Sequence, residues 1–255
     1  MKLNQVGFQL YTCRDLLKTP EGIVDTLKRL REIGYTTLEL CGVDAVPAEE
    51  LARIIAGEGF KVVSSHEPSA DLLACPEKSI ERLDLFGCSA AAYPYPGGID
   101  FGSRAAVEEL IAKLQHAGEV LGKAGKSLAY HNHHVEFRKL DGKIILDRIY
   151  DSTSKTALKA ELDTFWVQRG GGSVVEWVQK LSGRMEVIHL KDYMINDQTE
   201  AQFCEIGAGN INFKPVVAAA EAGGCQWFVV EQDTCPGDPV DSLAQSFRYI
   251  QGNLI

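Results

Sequence analysis

The chain has 255 residues, 45% hydrophobic and 24% charged, a balance that argues against long disorder and suits one domain spanning residues 1–255 with a substantial core. A formal net charge of −9 disfavours a surface that neutralises phosphate backbones, so no nucleic-acid partner is expected. No apolar stretch of about 18 residues occurs, and Met1-Lys2-Leu3-Asn4-Gln5 runs into a strand-like segment without a cleavable signal pattern, so the expectation is a cytoplasmic protein with no membrane partner.

In chain order, VGFQLY (6–11) reads as a first strand and EGIVDTLKRLREIG (21–34) as an amphipathic helix with Pro20 at its start. YTTLELC (35–41) is followed by the helical pattern PAEELARIIAGEG (47–59), and then by the strand FKVVSSH (60–66). CSAAAYP (88–94) precedes the long helix SRAAVEELIAKLQHAGEVLGKAG (103–125), which stops at glycine. The remaining strand candidates are KSLAYHNH (126–133), TALKAELD (156–163), EVIHLKD (186–192) and QWFVVEQ (226–232).

Eight β-rich runs alternating with helices predict a single (β/α)8 barrel, an α/β TIM barrel. The rival, a doubly wound open sheet, normally carries a phosphate-binding glycine loop after its first strand, and here that position reads YTCRD. The glycine clusters at 170–172 and 207–209 lack a strand-turn-helix context and read as loop punctuation. Seven cysteines, an odd number without CxxC or zinc-finger spacing, read as reduced thiols.

Period-2 alternation sorts each strand into two faces. Leu158, Ala160 and Leu162 share one face and pack under helices, so Lys159, Glu161 and Asp163 point into the barrel. The same sorting turns Gln9, Glu39, His66, His131, His133, His189, Lys191 and Glu231 inward. Buried carboxylates cost several kcal/mol unless paired or bound to a cation, and most of these groups lie at the strand ends where barrel enzymes place their chemistry.

Asp163, His189 and Glu231 come from successive strands and can converge on one divalent ion. A mixed nitrogen and oxygen donor set leans to Mn²⁺ or Zn²⁺, with Mg²⁺ or Co²⁺ also compatible. The segment AYHNHHVEF (129–137) holds three of the six histidines and offers His131 or His133 as the fourth ligand. Glu136, just past the strand, is expected to reach a ligand or a substrate hydroxyl. Glu39 and Glu161 have a second reading as ion-pair partners of Lys159 or Lys191. Trp166 is expected at the barrel mouth, where an aromatic face suits the apolar face of a sugar.

The segments GFQLYTCRD, YHNHHVEF, ELDTFW, HLKDY, IGAGNINF and VVEQD, spread over the whole chain, resemble the xylose isomerase-like barrels of the sugar phosphate isomerase/epimerase superfamily. The resemblance implies one divalent metal held by Asp163, His189 and Glu231. It departs at the first ligand position, where many relatives have Glu and this chain reads His131-Asn132-His133; His131 is taken as the fourth ligand. It departs again at Trp166, where ketose 3-epimerases carry a substrate-contacting histidine.

The implied reaction is proton abstraction next to a carbonyl of a small keto-sugar or polyol, with Glu231 as base, Glu136 or His133 delivering a proton and Lys191 stabilising the oxyanion. Gln9, His66, Trp166 and Glu161 complete the expected substrate site. The partner is a sugar or cyclitol, and a homodimer is compatible with the composition. The alternatives are an inosose dehydratase-like lyase, a sugar-binding barrel without catalysis and, disfavoured by the acidic balance, an endonuclease-type phosphodiesterase.

Overall fold

Short strands rich in Val, Leu, Ala and aromatic residues alternate with helices that carry one apolar face, and such a chain buries both by rolling the strands into a cylinder inside the helices. A computed structural model describes residues 1–255. Its barrel strands are β1 (Val6–Gln9), β2 (Thr37–Leu40), β3 (Lys61–His66), β4 (Ala90–Tyr93), β5 (Ser127–His131), β6 (Leu158–Asp163), β7 (Met185–Leu190) and β8 (Trp227–Val230). All pairings are parallel between consecutive strands, and β8 returns to β1, with Val6 opposite Phe228 and Phe8 opposite Val230. The expected (β/α)8 barrel is therefore closed.

The helices start where short polar side chains satisfy free backbone N–H groups. Thr19 Oγ1 accepts from Gly22 N at 3.0 Å before the helix Pro20–Ile33, and Ser103 Oγ accepts from Ala106 N at 3.3 Å before Arg104–Lys123. Asp238 caps Pro239–Asn253 and also pairs with Arg29 at 2.6 Å, which ties the last helix to the first. Gly118 allows the long helix to touch the chain entering β6. A Cβ there would stand 1.9 Å from the Ala157 carbonyl oxygen.

Several strands end earlier than the pattern predicts. The first stops at Gln9, whose side chain accepts from Tyr11 N at 3.4 Å while Leu10–Cys13 turns as a 3₁₀ helix. Two small hairpins, Lys139–Leu140 with Lys143–Ile144 and Asp192–Ile195 with Ala201–Cys204, were not expected. The glycines at 207–209 do more than punctuate. The buried Asp192 carboxylate accepts from the backbone N–H groups of Tyr193, Gly207, Gly209 and Ile211, and a Cβ on Gly209 would sit 2.5 Å from that carboxylate. The loop is folded around a single side chain.

Inside the barrel the apolar filling is thin. Val63, Val187 and Val229 form one small cluster with Trp227 packed against it. A register shift between Leu38 and Glu39 skips Val63 and sets Ser64 opposite Glu39, while Ser64, two residues before His66, shares its inward face. Lys159 is a correction to the expected ion pairs: it pairs with Glu186 at 3.6 Å and with neither Glu39 nor Glu161. All seven cysteines are free. No helix is long and apolar enough to cross a membrane.

Candidate metal centre and active site

The C-terminal ends of β5 to β8 bring His131, Asp163, His189 and Glu231 together, all buried, with one ligand atom from each lying within 4.8 Å of the others. The local chain explains Asp163. Its Oδ1 accepts from Trp166 N at 3.0 Å and so caps the helix Thr164–Arg169, while Asn132 Oδ1 fixes its backbone N–H at 3.0 Å. Oδ2 is left buried without a hydrogen-bond partner. An orphaned carboxylate oxygen costs free energy, and a cation relieves that cost.

Carboxylates behind the histidines set which nitrogens face this point. Glu39 Oε2 lies 2.5 Å from His189 Nε2 and itself accepts from Gln9 Nε2 at 2.6 Å. Glu161 Oε1 lies 3.2 Å from His131 Nδ1 and 2.7 Å from His66 Nε2, and Ser64 Oγ donates to Oε2 at 3.3 Å. A proton held on those nitrogens turns His189 Nδ1 and His131 Nε2 toward Asp163 and Glu231, the arrangement that orients imidazole ligands. The donor set, two imidazole nitrogens and two carboxylate oxygens, fits a divalent metal ion. His66, His131, Glu161 and His189 also cluster, but these hydrogen bonds already occupy them.

Lys191 Nζ completes the charge pattern at 2.6 Å from Asp233, 3.0 Å from Glu231 Oε2 and 3.5 Å from Asp163 Oδ2. Burial opposes its charge, but Glu231, Asp163 and Asp233 together hold its pKa well above the ordinary lysine value. Burial likewise opposes ionisation of Glu231, which Lys191 and His189 nevertheless hold well below the usual carboxylate range. Burial pushes Asp163 up to about 7 against the pull of Lys191. Burial and the neighbouring His131 push His133 down to about 2, so its imidazole is neutral.

Above the cluster opens a cavity of about 290 Å³. Of the sequence-predicted residues, His66, His131, His133, Lys191 and Glu231 line it. Gln9, Glu161 and Asp163 face the barrel interior but are fully buried beneath it, so Gln9 and Glu161 meet the histidines and Glu39 where substrate contact was expected. Trp166 does not line the cavity; it packs against the lining residue His133 and stacks on His134, each at 5.1 Å, with Lys191 Nζ 5.3 Å from its ring.

Glu136 is the clear correction. Beyond Asn132 the chain turns as the 3₁₀ helix Val135–Phe137, and the Glu136 carboxylate is held away from the cavity by Tyr130 Oη and His133 N, each at 2.9 Å. Its expected reach to substrate is absent. The sequence reading missed Tyr11, Cys41 and Asp233, which also line the cavity. Each lies two residues beyond an inward side chain, Gln9, Glu39 or Glu231, and extending the alternation one step past the strand ends finds all three.

Residues 27–252 match the model of the xylose isomerase-like TIM barrel family. An inosose dehydratase from Geobacillus thermodenitrificans (strain NG80-2) is 27% identical over 159 residues, covering 56% of this chain and 53% of that protein. The chain thus matches about half the length of that relative. A sugar phosphate isomerase/epimerase from Parabacteroides distasonis ATCC 8503 superposes with a TM-score of 0.84 at 21% identity, covering 99% of this chain and 95% of the other. A xylose isomerase-like TIM barrel protein from Mycobacterium smegmatis, in complex with magnesium, gives a TM-score of 0.73 at 15% identity, covering 98% and 96%. The family match over most of the chain and the closed barrel agree: this chain belongs to the xylose isomerase-like TIM barrel family.

Proposed function

We propose that this barrel is a divalent-metal-dependent enzyme that moves a proton at the carbon next to a carbonyl of a small keto-sugar or polyol. The observation that carries the reading is the convergence of His131, Asp163, His189 and Glu231 within 4.8 Å, with Asp163 Oδ2 accepting no hydrogen bond. These four side chains hold the ion, with Mn²⁺ or Zn²⁺ favoured by the mixed donor set. When bound, such an ion supplies Lewis-acid polarisation of a substrate oxygen.

Glu231 is the base. Lys191 Nζ donates to its Oε2 at 3.0 Å and His189 Nδ1 lies 2.9 Å from the same oxygen, which leaves Oε1 to accept a proton in the cavity. Lys191 remains an ammonium and stabilises negative charge on the substrate oxygen. Neutral His133, with Nδ1 unpartnered, positions a hydroxyl. Because Glu136 is turned away and His133 is uncharged, neither supplies an acid on the opposite face. A single base that takes and returns the proton favours isomerisation over epimerisation.

A panel of ketoses and inososes in D₂O, with Mn²⁺, Zn²⁺, Mg²⁺ or Co²⁺, tests the proposal. Deuterium should enter one substrate carbon, and Glu231→Gln should lower the rate by at least about 100-fold, the lower range for a lost general base. Absence of exchange and turnover across the panel contradicts it. A second reading, β-elimination of a hydroxyl, is favoured by the similarity to inosose dehydratase and appears in the same panel as a product lighter by one water.

A further inference from the structure

Tyr11 and Cys41 form part of the wall of the cavity over the metal centre. Both residues also line a second cavity of about 260 Å³, above the loops that follow β1 and β2. The two volumes, side by side, together fall within the roughly 300–1,000 Å³ usual for small-molecule sites. A ligand bound at the metal centre therefore has a second cavity of similar size beside it.

The lining of this second cavity is specific in its chemistry. Tyr11 is 40% exposed and offers an aromatic surface to this space. The Arg14 guanidinium lies 4.3 Å from the Tyr11 ring centroid and donates to the Tyr11 carbonyl at 3.0 Å, and none of the chain's ion pairs includes it. Asp44 and Lys18 are the other charged residues of the wall, whose remaining surface is mainly apolar, with Leu10, Leu17 and Val43. An aromatic face, an unpaired guanidinium and a carboxylate around one space match a sugar ring, whose C–H face packs on the aromatic and whose hydroxyls both donate and accept. They match a phosphate poorly. Asp44 repels the anion, and Lys18 is solvent-exposed and lies 3.9 Å from Asp15.

We infer that the substrate is a ketose carrying a second sugar ring, with the reacting unit over the metal centre and the second ring in the cavity between Tyr11, Arg14 and Asp44. This rests on the reading of the metal centre as a keto-sugar site and adds the size class of the substrate.

Titration calorimetry on the Mn²⁺-loaded protein tests it with four probes: fructose, 6-O-glucosylfructose, 4-O-galactosylfructose and fructose 6-phosphate. At least one disaccharide should bind about 10-fold or more tighter than fructose, and in the Arg14→Ala, Asp44→Ala double variant that ratio should fall toward one. Equal affinity for fructose and both disaccharides overturns the inference. So does a gain confined to fructose 6-phosphate, or failure of every probe to bind. Binding is read without turnover, so the two proposals fail separately. A disaccharide preference without deuterium exchange keeps the second subsite and removes the isomerase reading, whereas exchange on fructose without that preference does the reverse.

Discussion

Leu162 and Asp163 are neighbours on β6, both fully buried, and they belong to two different economies of the same strand. Leu162 faces outward into a continuous apolar core of 56 residues between barrel and helices. Asp163 faces inward, where the only apolar cluster has three valines and the space above it holds Glu39, Glu161, Glu231, His66, His131, His189 and Lys191 beside Asp163 itself. The outer face stabilises the fold by burying hydrocarbon, about 25 cal/mol per Å². The inner face concentrates groups whose desolvation is unfavourable, which proteins retain where a site needs them. Stability and chemistry are thus separated by the alternation of a β-strand.

Substitution on the two faces should therefore have opposite signatures. The largest stability effect is expected from Leu162→Ala, a loss of about 2–5 kcal/mol in chemical denaturation, with metal affinity per folded chain unchanged. A loss of metal affinity as large as that of an inner-face variant would break the separation.

Next comes Glu136, which burial raises to about 7. Its folded-state value lies above the ordinary 4.5, so the native state holds the proton more tightly than the unfolded chain does. The stability contributed is present at low pH and is lost as pH rises from about 4.5 through about 7, by about 3 kcal/mol in all. Denaturation of wild type and Glu136→Gln across pH 4–8 checks this, since the variant should lack that decline. A parallel pH dependence in both proteins would contradict the buried, turned-away carboxylate.

The smallest effect sharpens the inner face itself. Glu39→Gln removes the charged partner of His189 Nε2 while leaving the ligand nitrogen in place. Metal affinity, measured by competition with a chelating dye, should fall about 10–100-fold with stability unchanged or improved, because a fully buried carboxylate with one unpartnered oxygen, Glu39 Oε1, becomes a neutral amide. Unchanged affinity would make Glu39 a packing residue.

The barrel was legible because its strands are short, regular and punctuated, and one charged face per strand is a signal that apolar packing cannot mimic. Legibility failed where the period failed. Glu136 lies in a 3₁₀ turn, outside the alternation that placed His131, and its partners Tyr130 and His133 flank the turn. The register shift that sets Ser64 opposite Glu39 leaves no mark in composition. Glu39 and Glu161 were recognised as buried acids, but sequence gives no distances, and their partners are histidines across the barrel in place of the lysines. The hairpin Asp192–Ile195 with Ala201–Cys204 is anchored by one aspartate on four backbone N–H groups, a feature visible only once the loop is closed.

The most direct measurement is metal content per chain by elemental mass spectrometry, on wild type and Asp163→Asn purified without affinity metals or chelators. Asparagine keeps the carbonyl that caps Thr164–Arg169 and removes the charge beside Lys191 and Glu231, so the variant should fold. The account predicts close to one Mn²⁺ or Zn²⁺ per wild-type chain and loss of that metal in the variant. A wild-type protein that stays metal-free after reconstitution would contradict it and make the inward cluster a hydrogen-bonded ion network in a sugar-binding barrel.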